Sequence, residues 1–225
     1  MSDPDAPPLN AGAILRALID HQVDFVLVGG RAAQGHGAIR PTKDLDICPA
    51  WNDANLARVI AALRHLGAQM KTAQGGGMGT QPSVRMLRKM EITTWRTTAG
   101  DVDVLLGIPK GKNWQLAQYR QLNENAAIFD IGGQEVLIAS LEDIIRSKEI
   151  ANRPADHAAL PELRELLARQ QANAPAHDTS AQSRHVERPE PPSSAGPRAA
   201  SPPRPYGTQA RPQRPDGPQD RGLGR

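Results

Sequence analysis

The sequence predicts a mixed α/β (α+β) domain, a small mixed sheet flanked by helices, and three observations carry that prediction. Short apolar runs of strand length alternate with segments whose apolar residues recur at helical spacing. Glycine or proline stands at most junctions between them. A long C-terminal stretch shows neither pattern and sets the domain limit.

Ile14, Leu15 and Leu18 fall on one stripe and predict a first helix over 11–21. "DFVLVGG" reads as a buried strand ended by two glycines, and "RAAQGHG" as one or two helical turns. "DLDIC" is a second strand. "NDANLARVIAALRHLG" is an amphipathic helix with Asn52 or Asp53 as N-cap and Gly67 as stop. "TAQGGGMGTQPS" is expected to be a mobile loop. "EITTWRTT" and "DVDVLLGI" read as paired strands, and "AIFDIGGQEVLI" as a hairpin turning at its two glycines. Ser140 opens the next helix, with Asp143 completing an acidic capping box. Pro154 interrupts, and a last helix covers 155–169. The expected order is α-β-α-β-α-β-β-β-β-α-α, without internal repeats.

The division expected is a disordered N-terminus over 1–9, a domain over 10–170 and a disordered tail over 171–225. That tail holds 11 of the 20 prolines and, besides Val186 and Leu223, no aliphatic residue larger than alanine, so it cannot offset the entropy of ordering. Its eight arginines against five acids account for the whole net charge of +3, which leaves the domain balanced. The arginines could touch a phosphate backbone or an acidic partner, but without aromatic interleaving a solvated extension is the preferred reading. The single cysteine, Cys48, excludes internal disulfides and cysteine-cluster zinc sites. "MSDPDAPPLN" has no signal-like apolar stretch and no apolar run reaches membrane length, so a cytoplasmic protein with no membrane partner is expected.

The chemistry concentrates in "RPTKDLDICP". Strand alternation puts Asp44 and Asp46 on one face and Leu45 and Ile47 on the other, with the two aspartate Cα atoms about 6–7 Å apart. Two close carboxylates repel and lose hydration when covered, so something positive must offset the cost. A divalent ion, or two ions about 3.5–4 Å apart, would do so, and magnesium suits carboxylate and phosphate oxygens. "GDVDVLLG" repeats the pattern with Asp101 and Asp103, of which Asp103 is expected to complete a three-acid set and Asp101 to lie near a turn in reach of water. Gly29 and Gly30 would let backbone N–H groups approach a phosphate, although neither a dinucleotide fingerprint nor a Walker spacing is present. Phosphate turn and acids together point to a nucleoside triphosphate with magnesium.

These residues carry a resemblance. "GGRAAQGHGAIRPTKDLDI" resembles the DNA polymerase β-type nucleotidyltransferase superfamily, and "LEDIIRSKEIANRPADHAAL" is similar to the second half of AbiEii-like nucleotidyltransferases, the toxins of type IV toxin–antitoxin pairs. The resemblance spans about residues 23–170 and implies the polymerase β-type fold, a nucleotidyl transfer reaction and two magnesium ions. It implies Asp44, Asp46 and Asp103 as metal ligands and catalytic groups, with Lys148 as a further catalytic cation. It also implies nucleotide contacts from Gly29, Gly30, Arg31, Arg40, Lys148, Arg153 and Asp156. For partners it implies an RNA end, tRNA foremost, as acceptor and a cognate antitoxin protein. Three positions depart from the family pattern: Arg31 replaces a hydroxyl residue, Ala155 a lysine and Ala159 a second aspartate, which is expected to loosen substrate grip.

Simpler readings stand beside these. Lys148 and Asp156 extend core-facing stripes and could simply pair with each other. Arg40 and Lys43 could occupy a solvated turn, His36 a structural helix end, and Cys48 a small core position. Transfer to a protein or small molecule, and a non-catalytic nucleotide- or antitoxin-binding module, remain open alternatives.

Overall fold

A computed structural model describes residues 7–71 and 80–173. The elements in order are α1 (Ala11–Asp20), β1 (Phe25–Val28), α2 (Gly29–Gly35), β2 (Asp44–Pro49), α3 (Asp53–His65), β3 (Gln69–Met70), α4 (Val84–Leu87) and β4 (Ile92–Thr97). There follow β5 (Gly100–Leu105), β6 (Gly107–Pro109), β7 (Leu116–Gln118), α5 (Tyr119–Asn125), β8 (Ala127–Asp130), β9 (Glu135–Ile138), α6 (Leu141–Ala151) and α7 (Pro154–Asn173). Seven strands form one mixed sheet in the order β3-β4-β5-β2-β1-β9-β8, and β6 and β7 form a separate two-stranded ribbon. The expected mixed α/β architecture is therefore present.

β1 is buried along its whole length, because it lies inside the sheet between β2 and β9. β2 alternates at its start, with Leu45 and Ile47 fully buried and Asp44 and Asp46 only partly so. Val102, Val104 and Trp95 join Leu45 and Ile47 in the core, together with Ile14, Leu15 and Leu18 of α1 and Leu56, Val59 and Leu63 of α3. Asn52 caps α3 through its side chain, and Gly67 follows the helix at φ +64°. Ser140 caps α6 through the Asp143 N–H, and its hydroxyl also meets the Asp143 carboxylate at 2.9 Å. The β8–β9 hairpin turns at Gly132 and Gly133, both at positive φ, as a tight two-residue turn requires.

Several elements differ from expectation. The strand predicted over "DVDVLLGI" breaks at Leu106, whose N–H donates to the Glu91 carbonyl and ends the ladder with β4. Gly107 then lies so close to the Ala117 carbonyl that an added Cβ would sit 2.5 Å from it, which lets β6 change partner to β7. The helices α4 and α5 are only four and seven residues long, too short to show a period, and β3 has two residues. α7 runs to Asn173, past the limit drawn at residue 170. Leu9, assigned above to a disordered end, packs on the core beside Gly100, and the Asn10 N–H donates to the Ala99 carbonyl at 2.8 Å. Of the loop expected over 72–83, residues 80–83 belong to no helix or strand and 72–79 lie outside the described residues. The tail from 174 onward and residues 1–6 lie outside them too. Among the described residues, no helix is long and apolar enough to cross a membrane.

Candidate active site

The site begins at the register of three strands. β1 and β2 are antiparallel with Val28 opposite Asp46, so the glycines that follow Val28 arrive beside that aspartate. β2 and β5 are parallel, with Asp44 opposite Asp101 and Asp46 opposite Asp103. Adjacent strands lie about 4.8 Å apart, and the four aspartates share one face.

Gly29 adopts φ +66°, and a Cβ there would run into the Asp46 carboxylate. The Gly30 N–H donates to Asp46, and a Cβ on Gly30 would come within 2.8 Å of Thr42 Oγ1. The diglycine is thus required by close approach of this chain to itself. Thr42 in turn donates its hydroxyl to Asp44 Oδ1 at 2.9 Å.

Asp101 and Asp103 have different fates. Asp101 receives Lys71 Nζ at 2.6 Å and Arg96 Nε at 3.2 Å, and is only 9% exposed. It was expected within reach of water; instead it is the deeper acid, neutralised by two cations. Asp103 accepts a hydrogen bond from the Thr94 side chain, yet its buried Oδ1 has no hydrogen-bond partner. Burial, then the charges of Asp44 and Asp103, push the Asp46 carboxyl up to about 7, against the pull of Lys148 and the Gly30 N–H. Burial, only partly offset by the Thr94 hydrogen bond, pushes Asp103 up to about 6. Asp101→Ala should therefore lower stability by on the order of 2–3 kcal/mol, since it removes the carboxylate that the mostly covered Lys71 and Arg96 share. Asp103→Ala should leave stability unchanged or raised, because it removes a carboxylate its surroundings resist. Urea unfolding of both variants checks this.

The facing wall comes from α6 and α7. α6 ends at Asn152 in the left-handed conformation, and the chain turns directly into α7. Asp156, 2% exposed, accepts Lys148 Nζ at 3.0 Å and Arg153 Nε at 2.8 Å. Burial would raise its carboxyl, but these two hydrogen bonds and charges outweigh burial and hold it below the usual range. Asp156 is consequently a fixed anchor that presents two cations. The simple pairing of Lys148 with Asp156 is present, and Lys148 still faces the aspartates closely enough to affect Asp46.

Between the walls lies a cavity of about 660 Å³. Gly29, Gly30, Thr42, Asp44, Asp46 and Asp103 line it, with Arg40, Lys148, Arg153 and Asp156. Its apolar lining includes Ile92, Leu105, Ile108, Pro109, Trp114 and Leu116. Nine of the ten sequence-predicted site residues are thus drawn to one space. Arg31 lies outside the lining, its guanidinium donating to Gln34 Oε1 at 2.7 Å. His36 is structural: its Nε2 meets the Ala139 carbonyl at 2.8 Å and its ring stands edge-on to Phe129.

Thr42, Thr94 and the apolar ribbon wall escaped the sequence reading. Thr94 was missed because the hairpin turns at Thr98 and Ala99 rather than at Ala99 and Gly100, which sets Thr94 opposite Asp103. Trp114 carried no signal, because β6 and β7 are only three residues each.

Among the described residues, no set of three or more His, Cys, Asp or Glu side chains already surrounds a metal position. The donor chemistry nonetheless fits a hard divalent ion: oxygen donors only, with the Asp103 Oδ1 unpartnered.

No protein-family model and no curated protein sequence matches the chain. Among solved structures it is similar to the lincosamide antibiotic adenylyltransferase LnuA bound to lincomycin, at 15% identity and TM-score 0.47, over 71% of this chain and 99% of that one. ANT(2")-Ia in complex with adenylyl-2"-tobramycin matches at 17% identity and TM-score 0.44, over 72% and 94% of the two chains. A putative nucleotidyltransferase from Thermotoga maritima matches at 13% identity and TM-score 0.42, over 74% and 99%.

Proposed function

We propose that this chain is a polymerase β-type nucleotidyltransferase that moves a nucleoside monophosphate from a nucleoside triphosphate to an acceptor hydroxyl. The observation that carries the reading is the register of Asp46 with Asp103 on adjacent parallel strands, both lining a cavity that Arg40, Lys148 and Arg153 also line, with one buried Asp103 oxygen unpartnered.

Asp44, Asp46 and Asp103 would hold two magnesium ions, whose charge supplies neutralisation at the α-phosphate and the leaving pyrophosphate. Lys148 and Arg153, fixed by Asp156, present positive charge to the triphosphate, and Arg40 adds a third cation at the rim. Asp103 accepts the acceptor hydroxyl proton, a role suited to a carboxyl near 6 that is ionised at neutral pH. The acceptor oxygen bonds to the α-phosphorus as its bond to the bridging oxygen breaks, and pyrophosphate departs.

For the acceptor we propose an RNA end, tRNA foremost, in a toxin-like protein with an antitoxin partner. That rests on the AbiEii-like segment over 141–160 alone. Incubation of the full chain with each α-labelled triphosphate, magnesium and total tRNA tests both levels. Label in RNA supports the whole proposal. Label on the chain itself, or on a small-molecule pool added in parallel, keeps the transfer and replaces the acceptor. No label in any acceptor contradicts the enzymatic reading.

A further inference from the structure

The apolar side of the cavity has a feature that the transfer reaction leaves unused. β6 and β7 are joined by a turn that the Lys110 N–H closes on the Gln115 carbonyl at 2.8 Å. Within it Asn113 and Trp114 adopt φ +62° and +55° in succession. Asparagine tolerates the left-handed region, whereas a bulky aromatic there is a genuine outlier that the surrounding structure must enforce. Tryptophan ordinarily offsets its cost by burying a large surface. Trp114 does not, being 63% exposed, and yet it lines the cavity. Ile92, 52% exposed, lines the same cavity. A strained, uncovered indole beside uncovered aliphatic surface is arranged to be covered by something else.

The rest of the cavity lining supplies the chemistry of what covers it. Lys148 and Arg153 act on Asp46 of β2. Asp103 lies on the neighbouring β5, and Leu105 and its partner Ile92 continue the same face of the sheet. One cavity therefore joins cations, carboxylates and uncovered apolar surface. That combination matches a molecule that carries both phosphates and an uncharged flat ring.

We propose that Trp114 is the stacking platform for a nucleobase bound on the ribbon side of the cavity. The inference takes its ligand class from the nucleotidyl-transfer reading and adds the residue that holds the ring. The base can come from the donor triphosphate or from the end of an acceptor RNA. Stacking is tolerant of base identity, so the platform sets affinity more than sequence preference.

Calorimetric titration of the full chain with magnesium, using ATP, GTP, CTP, UTP, a short single-stranded RNA and inorganic tripolyphosphate, tests this. Trp114→Ala should weaken the base-bearing probe that uses the platform by about tenfold to a hundredfold, and Trp114→Phe by no more than about threefold. Loss confined to the triphosphates assigns the donor base; loss confined to RNA assigns the acceptor base; either supports the platform. Tripolyphosphate, which has no ring, should bind all variants alike. Trp114→Gly, free to adopt the same φ, should bind like Trp114→Ala while melting no lower than the unaltered chain. Equal binding of every base-bearing probe by Trp114→Ala overturns the proposal, as does an equal loss of tripolyphosphate. A Trp114→Gly chain that melts well below the unaltered protein but binds normally makes Trp114 a packing residue and overturns it too. An unaltered chain that binds neither triphosphates nor RNA overturns the platform together with the nucleotidyl-transfer reading beneath it.

Discussion

At pH 8 the Asp46→Asn chain should transfer no nucleotide and yet melt higher than the unaltered protein. Activity falls because Asp46 is central to the acid set, opposite Asp103 and next but one to Asp44. Loss of a direct metal ligand exceeds the roughly 10- to 100-fold cost of losing an outer partner of a ligand, so the drop should be larger than that. Stability moves the other way. The folded-state pKa of Asp46 is raised to about 7, so between about pH 4 and 7 the folded chain holds a proton that the unfolded chain has released. Stability therefore falls as pH rises through that window, and the penalty is complete above it. An amide carries no charge and can still accept from the Gly30 N–H. The gain at pH 8 is on the order of 1–3 kcal/mol, or about 2–4 °C in Tm per kcal/mol for a chain of this size. At pH 5, where the folded carboxyl is already protonated, most of the difference should vanish. Melting scans at both pH values check the sign. A variant less stable than the unaltered chain at pH 8 would show that Asp46 is a structural anchor of the Asp101 or Asp156 kind.

Magnesium should stabilise the chain strongly at pH 8 and hardly at all at pH 5. Raised carboxyl pKa values mean that protons and a divalent ion compete for the same oxygens, and the proton prevails as pH falls below about 6 to 7. Binding to the folded state alone adds RT ln(1 + [L]/Kd), about 2.7 kcal/mol at a hundredfold excess over Kd, which corresponds to several degrees. The shift should disappear in Asp46→Asn and Asp103→Asn and persist in Trp114→Ala. Thermal melts with and without magnesium measure it. An equal shift at both pH values would place the ion elsewhere.

The acid pairs were legible because strand alternation is a short-range rule: Asp44-Leu45-Asp46 and Asp101-Val102-Asp103 each fix their own faces. Why Asp103 and not Asp101 lines the cavity was not legible, since the water access expected at Asp101 is absent. Asp101 is excluded by Lys71 and Arg96, and the Lys71 pairing spans 30 residues, a separation that no local pattern encodes. The role of the glycines was half legible. Positive φ at Gly29 follows from a tight turn, but the pressure from Asp46 and Thr42 depends on the antiparallel register of β1 with β2. The ribbon was illegible, because three-residue strands held by Gly107 against Ala117 carry no period to detect. With it went the apolar half of the cavity.

Titration of the full chain with manganese at pH 8 in the presence of a nucleoside triphosphate, followed by electron paramagnetic resonance, tests whether Asp44, Asp46 and Asp103 hold divalent ions. It counts ions at the acid face without requiring the acceptor to be known. Two protein-dependent manganese ions per chain are expected, lost in Asp46→Asn and Asp103→Asn and retained in Asp101→Asn whenever that variant stays folded. Undiminished manganese binding in Asp46→Asn and Asp103→Asn would contradict that assignment, as would an unaltered chain that binds none.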